Sequence, residues 1–358
     1  MRTWTLVLGA ALLVVAGSVR ATLVAQQDRA ESLEVIPVRG HIYLVAGAGS
    51  NITVSAGPDG VFLVDTGLAE HADRVVAAIQ QLQRQLQIAS PSPPRSGAET
   101  RLPTNLEPYN RFAPPKPIRY IANTSALPDH VGGNVRLAEA GRTFTGGNVT
   151  GQLGDVAQGA AVLAHENVLS RMGRAGAPVR ALPTDTYFGR LMKLSAFFNG
   201  EGVELIHVPS AVTDGDSLVH FRGADVIATG DIFDMTRYPA MDLARGGSIN
   251  GVLAALNRML DMAVAEFRSE GGTLIIPGHG RLADVADLTY YRDMTTIVRD
   301  RIDASIKKGK TIGEIKASRP SEDWDPRFGT DASWTPDMFV EAIYKGLTNP
   351  KIASSKVE

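Results

Sequence analysis

Four short segments of this 358-residue chain end an apolar, strand-like run on an acid, an imidazole or both. They are LVDTG (63–67), LPDHVGG (127–133), ATGDIF (228–233) and IIPGHG (275–280). Strand ends are where layered α/β proteins gather their sites. Two imidazoles with two or three carboxylates, delivered from different strand ends, suit a hard-to-borderline divalent ion. Such an ion with an open position polarises a carbonyl and acidifies a water. Each piece also has a plainer reading. An acid before a helix can cap its N-terminus, a glycine pair can serve chain packing, and an acid after a glycine can belong to a turn.

These residues need strands to carry them. VIPV and HIYLVAG flank Arg39-Gly40, and NITVSAG is separated from VFLVDTG by Pro58-Asp59-Gly60. Short β-rich runs split by turn residues read as antiparallel hairpins. Between His71 and Gln87 the period changes, and Val75, Val76, Ile79, Leu82 and Leu86 form one apolar helical stripe. IRYIANT, AVLAH, VELIHV, SLVHF, DVIAT and TLIIPG supply further strands. Helices are expected over 131–140, from Ser248 as N-cap to Ala265, from Leu282 to Lys308, and across TPDMFVEAIYKGL. Residues 89–117, rich in Pro, Ser and Arg and without a period, read as a long surface loop. Strands in two sets alternating with helices predict an α/β (α+β) fold, with two mixed sheets buried beneath outer helices.

Composition narrows the function. The chain is 44% hydrophobic and 21% charged, enough for a full core. With no Cys, disulfides, thiolate zinc sites and a cysteine nucleophile are excluded. A formal charge of −2 advertises no nucleic-acid partner. Arg2, the apolar run Trp4–Ala16 and the small residues after it have the form of a secretory signal peptide, residues 1–25. The run is short of the ~20 residues a spanning helix needs, so cleavage without stable membrane insertion is expected, and export to a periplasm or beyond. Removing Arg2 and Arg20 and no acid takes the charge from −2 to −4. The remainder divides into a main domain, 30–310, and a helical C-terminal extension, 311–358.

The motifs, in order, resemble the metallo-β-lactamase fold superfamily, from about residue 34 to about 300. The family's pattern is VDTG, THxHxDHxGGN, HTDGDS, TGDIF and PGHG; this chain has VDTG, TSALPDHVGGN, VTDGDS, TGDIF and PGHG. The resemblance implies a four-layer αββα sandwich with a metal site along one edge of the sheets, holding two zinc ions or sometimes iron or manganese. Carried over, the first metal's histidines fall on Ser125, Leu127 and Val212, and Leu and Val cannot ligate. The second metal's ligands fall on Asp129, His130 and His279, and the bridging carboxylate on Asp231. Asp65 matches a strand-end aspartate that lies behind the ligands or serves packing. One set is lost and the other kept whole. Asp129 and Asp231 without a cation would repel and be costly to desolvate. One divalent ion is therefore expected, zinc first and iron or manganese as alternatives, with Asp129 both ligating and orienting a water.

Arg237 and Tyr238, in FDMTRYP after Asp231, are candidates for a substrate-pocket wall, where they could bind an anionic group. His165, His207 and His220 fall on no ligand motif and read as structural, while His41 and His71 read as surface residues. The expected function is hydrolysis of a small-molecule ester, thioester, lactone or lactam. The alternative is a non-catalytic binding protein on the same fold with a relic or structural metal. A serine hydrolase is disfavoured, because no G-x-S-x-G is present.

Overall fold

The computed structural model describes residues 33–89, 117–142, 159–194, 198–265 and 271–349. The expected signal peptide and nearly all of the 89–117 loop lie outside these described residues. One sheet is built from β1 (Glu34–Arg39), β2 (Ile42–Ala48), β3 (Ser50–Gly57), β4 (Gly60–Val64), β5 (Ile118–Ala122), β6 (Ala161–His165) and β7 (Asp185–Tyr187), in that spatial order. β1 to β4 pair antiparallel through the expected turns, and β4 to β7 pair parallel. The second sheet uses β8 (Leu191–Lys193), β9 (Val203–Val208), β10 (Asp216–Phe221), β11 (Val226–Ala228) and β12 (Leu274–Ile276), in the order β12-β11-β10-β9-β8. Only β11 and β12 pair parallel there. Both sheets are mixed.

Period-2 alternation splits each strand between two cores. Leu44, Phe62, Leu205, Val219 and Ile276 meet between the sheets. Their neighbours Val45 and Leu63 face helix α1 (Ala72–Ala89), whose Val75, Val76, Ile79 and Leu82 are the stripe seen in the sequence. Ile206, Leu218, Ile227 and Ile275 face the other way, onto α5 (Ile249–Met262) and α6 (Val285–Lys307). α2 (Pro128–Val131), α3 (Asn134–Glu139) and α4 (Glu166–Arg174) follow the strand ends of the first sheet. The layers are thus helix, sheet, sheet, helix. Ser248 caps α5 as expected, its hydroxyl accepting from the Gly251 amide. No helix among the described residues is long and apolar enough to cross a membrane.

Two features go beyond the sequence reading. The segment from 311 onward forms α7 (Ile312–Ala317), α8 (Asp325–Phe328) and α9 (Pro336–Thr348). Ile315, Phe328, Phe339 and Ile343 are buried in the same cluster as Leu218 and Ile275, so these helices close the outer face of the second sheet. β7 and β8 were not anticipated. DTY and LMK are three residues each, too short for alternation to register.

His165 and His207 tie the two sheets together. Their rings stack at 3.6 Å and 5°, and Tyr187 meets His165 edge-on. His165 also caps α4, its Nδ1 accepting from the Asn167 amide. Burial first, then the charge of His207, pushes the His165 pKa down to about 4, and burial lowers that of His207. Folding thus favours the neutral form of both rings. Between pH 6.5 and 4 the unfolded chain binds the proton that His165 refuses, so stability is expected to fall as pH falls through that window. Melting temperatures across pH 4–7 test this. His207→Phe keeps the stack and removes one titrating ring, so its acid limb should be shallower; an unchanged limb would acquit the pair.

Candidate metal centre

Each side chain of the cluster is delivered by a strand end. Asp65 follows β4 with φ 64°, a left-handed conformation that Asp tolerates better than most residues but that still costs about 1 kcal/mol or more. Its amide donates to Ala122 O on β5 at 2.8 Å. Its carboxylate accepts from the Thr124 amide at 2.8 Å and the Thr124 hydroxyl at 2.6 Å. The same carboxylate lies 2.7 Å from His130 Nδ1. That bond places a proton on Nδ1 and turns Nε2 toward Asp231 Oδ1, 3.0 Å away.

Asp129 sits in the first turn of α2, but it is not the cap. Leu127 holds the N-cap position and makes no side-chain bond. The Asp129 carboxylate instead faces His279 Nε2 at 3.1 Å. His279 follows β12 in a loop clamped by Asn51, whose side chain donates to Pro277 O and Gly280 O, each at 2.9 Å. Gly278 is required here, because a Cβ would run into Asp231 Oδ1. The glycine pair after His130 is structural: a Cβ on Gly133 would run into Thr66 O. Asp231, in the turn after β11, is the hub. Oδ1 lies 3.0 Å from His130 Nε2 and 3.2 Å from His279 Nε2, and Oδ2 accepts from Arg237 Nη2 at 3.0 Å.

One ligand atom from each of Asp129, His130, Asp231 and His279 falls within a 4.8 Å cluster. Zinc–ligand bonds of about 2.0–2.2 Å in a tetrahedron separate neighbouring ligand atoms by about 3.3–3.6 Å. The 3.0, 3.1 and 3.2 Å contacts are within a few tenths of that. His279 Nε2 is buried between two carboxylates yet makes no well-directed hydrogen bond. Charge fits as well. Burial opposes the imidazolium of His130, but Asp65 and Asp231 outweigh it and hold its pKa well above the usual imidazole range. His279 is likewise raised against burial, to about 9, by Asp129 and Asp231. Burial would raise Asp231, but His130 and His279 hold it well below the carboxylate range. Two protonated rings supply the two positive charges that a divalent ion would bring. The donor set therefore fits one such ion.

Ser125 is buried, its Oγ accepting from the Leu127 amide at 3.3 Å. Leu127 and Val212 line a cavity of about 450 Å³ that reaches Asp129 and Asp231. Arg237 also lines it, with its guanidinium facing carboxylates: Nε donates to Asp234 at 2.8 Å, Nη2 to Asp231, and Nη1 lies 3.7 Å from Asp331. Arg237 thus lines the cavity while its guanidinium holds the outer oxygen of Asp231. Tyr238 departs from its expected place altogether. Consecutive residues in this loop point apart; the Tyr238 ring is fully buried, stacks on Phe339 at 4.5 Å, and donates to Ser321 O and Asp325. Asp234, which the sequence did not single out, is the buried anchor of Arg237, and the D-x-x-R spacing was its one available signal. His220 is partly buried near Glu204, and His41 lies 3.7 Å from Glu201, both away from the cluster.

In Asp65→Asn, one oxygen must serve both Thr124 and His130, and an amide N–H is turned toward a donor. Metal affinity is expected to fall about 10–100-fold while the apo fold persists. A calorimetric titration of both proteins checks this, and an unchanged affinity would remove Asp65 as the orienting group.

Two mixed sheets sandwiched by helices, with an imidazole–carboxylate cluster at their strand ends, define an αββα fold with a candidate metal-binding group. The fold is that of the metallo-β-lactamase superfamily, whose sequence profile matches residues 45–146 of the chain. Among solved structures it is similar to the sec-alkylsulfatase Pisa1 from Pseudomonas sp., at 16% identity and a TM-score of 0.58, over 90% of this chain and 51% of that one. The chain thus spans about half the alkylsulfatase's length. It is also similar to a metallo-β-lactamase from Pontibacter korlensis, at 14% identity and a TM-score of 0.48, over 74% of this chain and 99% of that one. No curated protein sequence matches it significantly.

Proposed function

We propose that this protein is an exported hydrolase that uses one divalent ion, zinc in the first instance, to cleave a small-molecule ester, thioester, lactone or lactam. The observation that carries the reading is the convergence of Asp129, His130, Asp231 and His279 on one point at the strand ends. A divalent ion there supplies Lewis-acid chemistry, polarising an acyl carbonyl and acidifying a water. The chain's own residues do the rest. Asp65 orients His130, and Arg237 fixes Asp231. Burial would raise the Asp129 pKa, but His279 at 3.1 Å and the nearby His130 lower it, so Asp129 is ionised and can accept a water's hydrogen. Export is supported by the apolar N-terminal run after Arg2.

Elemental analysis of the purified mature protein tests this, together with turnover of nitrocefin, thioesters and lactones with and without a chelator. About one equivalent of metal and chelator-sensitive turnover are expected. No bound metal would sink the enzyme reading. Bound metal with no turnover would favour a binding protein, the reading that the loss of ligands at Ser125, Leu127 and Val212 suggests.

A further inference from the structure

The cavity beside Asp129 and Asp231 has its own chemistry. At about 450 Å³ it falls within the range of small-molecule sites. Away from the cluster its walls are apolar: Leu127, Val212, Met241, Leu243 and the ring of Trp334. They come from four separate stretches of chain, and Trp334 reaches in from the C-terminal segment.

The charges around this space are unfavourable to an anion. Asp129, Asp231 and Asp242 all line it. The cation among the described lining residues is Arg237, and Asp231, Asp234 and Asp331 already face its guanidinium. Arg245, which pairs with Asp242 at the rim, is half exposed and already engaged. An ion bound between Asp129 and Asp231 offsets those two acids and leaves no spare cation on the apolar walls. A carboxylate or sulfate placed there would give up water and find no free cation, which is costly. An alkyl or aryl group would exchange water for Leu127, Val212 and Trp334, which is favourable.

We propose that this cavity is the acyl subsite of the enzyme and selects uncharged, apolar acyl groups over anionic ones. This deepens the hydrolase reading and rests on it for the word acyl.

The metal-loaded protein is assayed with a matched pair, p-nitrophenyl butyrate and mono-p-nitrophenyl succinate, which differ by a terminal carboxylate. After correction for spontaneous hydrolysis, kcat/KM should favour the butyrate by about tenfold or more. Ala240 is a half-buried wall position and no ligand. Ala240→Lys should move the ratio toward the succinate by about tenfold with metal content unchanged. Leu243→Lys, also half-buried, serves if Ala240→Lys fails to melt cooperatively. Binding of the non-reacting amides N-phenylbutanamide and N-phenylsuccinamic acid is measured by calorimetry alongside. Preferential binding of the neutral amide without turnover of either ester would defeat the hydrolase reading and leave the apolar subsite standing. Turnover that favours the succinate, or a ratio unmoved in a folded lysine variant, would overturn the subsite and leave the hydrolase reading intact.

Discussion

Replacing His279 by alanine is expected to abolish binding of the proposed ion: metal affinity should drop more than about 100-fold. Hydrolysis should fall about 10³-fold, the loss expected when several kcal/mol of Lewis-acid stabilisation disappears. The argument is geometric. His279 Nε2 stands 3.1 Å from Asp129 and 3.2 Å from Asp231, so it links the only two carboxylates of the described cluster. Without it, Asp129 keeps no imidazole within ion-pair distance, and three donors remain where four converged. The loop should survive the change. The Asn51 side-chain amide clamps Pro277 O and Gly280 O, and Gly278 N donates to Gly230 O at 2.9 Å, none of which involves the ring. The variant should therefore melt cooperatively while elemental analysis finds little metal. A variant that keeps its equivalent of metal would place the ion elsewhere.

Much of this was legible in the sequence because the signals are local. The β-rich runs VFLV and VELIHV, the stripe Val75–Leu82 and the cap at Ser248 each depend on residues within a few positions of one another. Strand ends are local too, which is why Asp65, Asp129, His130, Asp231 and His279 could be named together. What escaped depends on direction or distance. Arg237 and Tyr238 are adjacent in an irregular loop, where no period says which way each points; one faces Asp231 and the other Phe339. The part of Trp334 in the cavity beside Asp129 joins residues about 200 positions apart, and composition alone carries no trace of that. The C-terminal helices read as an extension for the same reason: Phe339 and Ile343 announce an apolar face but not the sheet it covers.

Asp231→Asn is nearly isosteric, yet it should be the most damaging change at the site. Oδ1 receives His130 and His279 from one side, and Oδ2 receives Arg237 from the other. All three partners present N–H groups when no ion is bound, because both rings are held protonated. Asn offers one acceptor oxygen and one amide donor, so whichever way it turns, a donor meets a donor in a buried place. If the amide faces Arg237, the guanidinium keeps Asp234; if it faces the rings, the fully buried His130 keeps only Asp65. Either arrangement removes the charge that would bind an ion, and the first also removes the clamp on the group that holds it. Breaking one side of a buried pair costs about 3–5 kcal/mol. Denaturant unfolding of the metal-free protein should show a loss of that order, and metal titration should show more than about 100-fold weaker binding. Asp234→Asn tests the neighbouring carboxylate: it costs stability, since it breaks a buried contact with Arg237, but it leaves Asp231 its full charge and should retain metal. If the two variants lose metal alike, Asp231 is one acid among several in a charge cluster and not its hub.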